Sequence, residues 1–248
     1  MHYDIPGSYD YHKHSWFSPY LVIKATNRVA KLYGSNIEFK REFKLVREMF
    51  DSAIALLGAY NLHPDNKYIM QPNLQSDSPD VVAVKLTEVK DEPILLEVTQ
   101  LEIVRMNEYS STDDVVEFLK STKLSSKKSY DSKTLIVCVI SKKIQLNRLK
   151  IADDLQKIKP KPTIYILGKF TDSEDKWAIF CPYPKPTQLV TYSLSETIGK
   201  YQIPEVINLG IGMAKKITYQ KTDPKLTTIY DIFNLEERSL EKYKKNID

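Results

Sequence analysis

From Phe39 onward apolar residues return at alternating steps of four and three: Phe39, Phe43, Val46, Phe50, Ala53 and Leu57. That is the repeat of a helix burying one stripe. Ser35 and Glu38 are spaced as a capping box at its start. Ahead of it, Ser18-Pro19 forms an N-cap and first-turn pair and Gly34 a terminator, which predicts a first helix over 19–33. Residues 1–16 lack periodicity and read as an arm.

The pattern then changes to short apolar runs bounded by Pro and charged residues. Strands are predicted at Lys67–Met70, in the segment after Asp80, and in the segment ending on Glu97-Val98-Thr99. Ser111 or Thr112, followed by Asp113 and Asp114, opens another helix with acidic residues suited to its dipole. Leu135–Ile140 (LIVCVI) is apolar throughout, the mark of a strand buried on both faces. A helix from about Leu146 to Ile158 follows, stopped by Pro160 and Pro162, and then strands at Thr163–Leu167 and Trp177–Cys181. Leu189–Thr197 fits a strand or a short helix. The charged stretch Leu235–Lys245 reads as a helix suited to peripheral packing or to a homodimer surface. The expected class is α/β, a mixed sheet flanked by helices with C-terminal additions. Three parts are expected: an arm and helix (1–34), a core domain (35–182) and an extension packing on the core (183–248).

The 248 residues are 42% hydrophobic and 27% charged, ordinary for a globular protein. No apolar run approaches the ~20 residues that span a bilayer, and the N-terminal stretch has no apolar signal region. The expectation is a cytoplasmic protein with no membrane partner. Cys138 and Cys181 both fall in predicted strands, as buried free thiols rather than a disulfide. Seven glycines form neither a GxGxxG nor a Walker A loop, so a nucleotide cofactor is not expected. His12 and His14 lack companion ligands for zinc. The net charge of +4 is mild, but Lys120, Lys123, Lys127, Lys128 and Lys133 crowd together. That run suits a solvated surface or contacts to phosphates.

The candidate chemistry lies in Pro79–Gln100, PDVVAVKLTEVKDEPILLEVTQ. A turn centred near Val89 and Lys90 puts Asp80 opposite Thr99, with Glu97 as its diagonal neighbour on one face. Diagonal partners lie roughly 7–8 Å apart at the backbone, within reach of one divalent cation. A slip of one residue reverses the face. Glu97 in the run Ile94–Val98 is costly to bury without a partner, unless that face is solvated.

Pro79-Asp80 and Glu97-Val98-Thr99, within the order helix, three strands, helix, strand, resemble the PD-(D/E)XK nuclease superfamily. The resemblance implies a restriction-endonuclease-like αβββαβ core with its site on the second and third strands. It implies Mg²⁺ or Mn²⁺ held by Asp80 and Glu97, and metal-dependent hydrolysis of DNA phosphodiester bonds. Thr99 stands where the family has Lys. Gln100, Lys120 or Lys123 are the alternative catalytic side chains. The family's acidic residue from the first core helix would be Glu42, since Glu38 is accounted for as a capping partner. Lys120, Lys123, Lys127 and Lys128 would grip the nucleic acid. The missing motif Lys leaves a second reading, an inactive nuclease fold that binds nucleic acid or serves in assembly. A protein–protein scaffold is a third.

Overall fold

The computed structural model describes residues 15–34, 43–72, 79–89, 92–106, 111–125, 130, 132–141, 145–170, 173, 175–201, 206–208 and 218–220. Helix α1 (Pro19–Tyr33) begins where Ser18 accepts the amide of Leu21 and ends at Gly34, whose φ of 81° suits a residue without a Cβ. Helix α2 runs from Lys44 to Leu62, later at both ends than the apolar stripe suggested. The Ser35–Glu38 capping box lies outside the described residues.

Strand β1 (Ser15–Phe17) comes out of the segment read as an arm. Strands β2 (Lys67–Pro72), β3 (Val81–Val89) and β4 (Glu92–Met106) form an antiparallel set. Helix α3 (Thr112–Thr122) has a full capping box between Ser111 and Asp114 and leads to β5 (Thr134–Ile140), parallel to β4. Helix α4 (Arg148–Ile158) leads to β6 (Thr163–Lys169), again parallel. Antiparallel β7 (Lys176–Tyr183) and β8 (Val190–Ser193) complete that side. The segment expected to be a strand or a helix is both, since helix α5 (Leu194–Lys200) follows β8 directly. Short strands β9 (Val206–Asn208) and β10 (Thr218–Gln220) extend the sheet beyond β1. Among the described residues the strand order is β10-β9-β1-β2-β3-β4-β5-β6-β7-β8.

The fold is mixed α/β in three layers. Odd-numbered positions of β3 and β4 (Val81, Ala83, Leu101, Ile103) pack with α1 and α2. Even-numbered positions of β5 and β6, with Met106, pack against α3 and α4. Strand alternation therefore assigns each side chain of β4 to one layer or the other. Cys138 and Cys181 are buried free thiols, and burial alone pushes the Cys138 thiol up to about 12. No described helix is long and apolar enough to cross a membrane.

Candidate functional site

The β3–β4 register decides which carboxylates meet. Val81 pairs with Leu101 and the Asp80 amide donates to the Leu101 carbonyl at 3.1 Å, so Asp80 stands beside Glu102. This corrects the pairing expected from the sequence. Thr99 pairs with Ala83, three residues further along β3 than Asp80, and Glu97 pairs with Lys85. Two features move the register. The strands pair out to Val89 and Glu92, and between Lys85 and Leu86 the ladder skips Leu96. An odd shift reverses the face. Glu97 thus falls five positions before Glu102 on β4 and has the opposite parity. Thr99 shares the parity of Leu101 and Ile103 and is buried toward α1 and α2. Gln100, half-buried, keeps the parity of Glu102.

Asp80 sits at the mouth of β3 and accepts the backbone amide of Ile103 at 2.8 Å on Oδ2. Glu102 follows one strand over and is only 3% exposed. Both are met by Lys123, the residue that caps α3 at its C-terminus. Its Nζ donates to Glu102 Oε2 at 2.7 Å and lies 3.8 Å from Asp80 Oδ2. A carboxylate so deeply buried requires such a partner. The α3 crossover supplies it across 21 residues of sequence.

From the other layer, Glu48 projects from the first turns of α2 and pairs with Lys44 at 3.2 Å. Burial raises its carboxyl to about 7, the negative charge of Asp80 adds to that, and Lys44 opposes it. The Asp80 carboxyl is also raised, chiefly by burial, against the pull of Lys123 and of the Ile103 amide. Lys44 is held above the usual lysine range by Glu48 first, against burial, with Asp80 and Glu102 adding smaller contributions. The Tyr130 phenol is pushed up by burial and then by Glu102 and Asp80. Its hydroxyl is buried with no hydrogen-bond partner among the described residues. Three carboxylates, two lysines and a phenol thus sense one another at the Asp80 end of β3.

Of the residues picked from sequence, Asp80 and Lys123 come together. Lys120 is half-exposed and lies 3.9 Å from Glu117 on its own helix. Glu42, Lys127 and Lys128 lie outside the described residues, as does the Glu97 side chain. Sequence reasoning missed Glu102, Glu48, Lys44 and Tyr130. Glu102 carried the signal applied to Glu97, a carboxylate amid Leu101, Ile103 and Val104. Glu48, by contrast, looks like any solvated helix charge.

Two adjacent carboxylates fit a magnesium ion, which takes one or two carboxylates and retains several waters. Among the described residues no group of three or more His, Cys, Asp or Glu is arranged to hold a metal. The carboxylates that could hold one are Asp80 and Glu102, with Glu48 beyond them. No protein-family model, curated protein or solved structure matches this chain, so the cluster itself carries what is inferred about its chemistry.

Proposed function

We propose that the protein is a metal-dependent nuclease of the PD-(D/E)XK kind, hydrolysing DNA phosphodiester bonds, with Glu102 rather than Glu97 as the partner of Asp80. The observation that carries this reading is the convergence of Asp80, Glu102 and Lys123. The element order α2-β2-β3-β4-α3-β5 supports it, because it is the αβββαβ order of that superfamily. Lys123, coming from α3, supplies the cation that Thr99 lacks. Asp80 and Glu102 would hold Mg²⁺ or Mn²⁺, which when bound polarises a phosphate oxygen and activates a water. Lys123 turns its ammonium from Glu102 to the phosphate as charge develops there. Glu48, whose carboxyl burial raises, is the proton acceptor for the attacking water in this reading.

In the test, Asp80→Asn and Glu102→Gln each abolish Mg²⁺-dependent cleavage of DNA while circular dichroism and melting show a folded protein. Glu97→Gln leaves cleavage intact. Undiminished cleavage by either of the first two variants overturns the assignment. A second reading, a non-catalytic nucleic-acid-binding protein on the same core, is favoured by one observation: Lys123 already closes on Glu102 at 2.7 Å, as a purely structural pair would. DNA binding by a parent protein that never cleaves selects it.

A further inference from the structure

A cavity lies on the opposite side of β4 from Glu102, and none of its lining residues belongs to the carboxylate cluster. It has a volume of about 300 Å³, at the lower end of small-molecule sites. It opens under α1 and α2 at the carboxyl ends of the three mutually parallel strands. Arg105 stands one residue from the end of β4, Ile140 ends β5 and Lys169 ends β6. In open α/β sheets that end is where ligands bind.

The chemistry of the wall is one-sided. Arg47, Arg105 and Lys169 line it, and none of its lining residues is Asp or Glu. Asp51, buried behind it, grips Arg105 through Nε and Nη2, the latter at 2.7 Å, and so fixes the plane of the guanidinium. Phe50 and Trp177 add aromatic surface, with Lys169 Nζ 6.0 Å from the Trp177 ring centre. Thr26 also lines the cavity. It is 8% exposed, and its hydroxyl has no hydrogen-bond partner among the described residues. That hydroxyl is sealed from solvent, so recognition falls to the cationic groups.

We propose that this cavity binds a small organic anion, a phosphate or carboxylate group carried on a planar apolar body. The guanidinium and ammonium groups take the anion, and Phe50 and Trp177 bound the apolar part. The inference is independent of the nuclease reading.

Calorimetric titration of the full chain in EDTA tests it, with phenyl phosphate and benzoate as probes and phenol as the uncharged control. One of the two anions binds, phenol does not, and the anion that binds identifies the headgroup. Arg47→Ala and Lys169→Ala each weaken binding about tenfold, the value of one charge-assisted hydrogen bond. Glu102→Gln leaves binding unchanged, which separates this cavity from the carboxylate cluster. The proposal is overturned if neither anion binds at millimolar concentration, if phenol binds equally well, or if Arg47→Ala and Lys169→Ala have no effect.

Discussion

Glu48 makes the electrostatics of the cluster measurable. Its folded-state carboxyl, raised to about 7 by burial and by Asp80, exceeds the roughly 4.3 of an exposed glutamate in an unfolded chain. A carboxyl raised on folding contributes stability that is fully present below the unfolded value and lost as pH rises through the folded one. The protein should therefore lose stability between about pH 4 and pH 7 through this residue. Glu48→Gln removes the loss, so melting temperatures of variant and parent should diverge in the variant's favour from pH 5 to pH 8. The Lys44 partner is mostly exposed and changes this little. A difference that stays constant over that range would show that Glu48 does not titrate as its burial implies. Asp80 and Lys123 were readable as candidates from type and position alone, one beside a Pro and the other in a lysine run. Glu48 was not, because its distinguishing property is the company it keeps; Glu102 carried the signal read at Glu97, and only the register singles it out.

The elements were legible where one periodicity dominated. Ser18-Pro19 and Gly34 marked α1, Ser111 and Asp114 marked the start of α3, and LIVCVI marked the doubly covered β5. Less legible was β4, whose alternation continues past Thr99 to Met106 through a stretch containing Gln100, Glu102 and Arg105. Those polar residues mask a strand whose charged partners come from α2 and from the end of α3. Packing between α2 and the sheet depends on a similarly hidden feature. A Cβ at Gly58 would come within 2.9 Å of both Ile179 Cδ1 and the Tyr192 hydroxyl. Tyr192 cannot retreat freely, since it is buried and donates to the Ile54 carbonyl at 2.8 Å. In an exposed helix Gly→Ala stabilises by about 1 kcal/mol. Here overpacking, which costs about 1–3 kcal/mol, should win. Gly58→Ala is expected to lower urea stability by about 1 kcal/mol; a stabilised variant would mean that β7 and β8 yield to the helix.

For the molecule as a whole, a net charge of +4 makes phosphate contact a matter of distribution rather than total. Lys123 works within the carboxylate cluster, so nonspecific grip falls to the other lysines of the run. If the chain binds DNA, affinity should fall with salt at a slope of roughly −0.9 per phosphate contact. Replacing Lys127 and Lys128 with Ala should flatten that slope by about two contacts and weaken all sequences alike. A flat salt response in the parent protein would favour the scaffold reading instead.

Sequence alone determined the α/β class and the order of helices and strands from α1 to β7, and it picked out Asp80 as a candidate. It could do so because helix and strand periods, caps and breakers are local properties of the chain. Tertiary structure decided which carboxylate faces Asp80. A ladder slip at Lys85–Leu86 and a displaced hairpin end shift the register by an odd number, and an odd shift exchanges Glu97 for Glu102. Tertiary structure also brought Lys123 across from α3 and Glu48 from α2. The Glu48 carboxyl is raised by burial and by Asp80, distant in sequence, and neither has a local period to read.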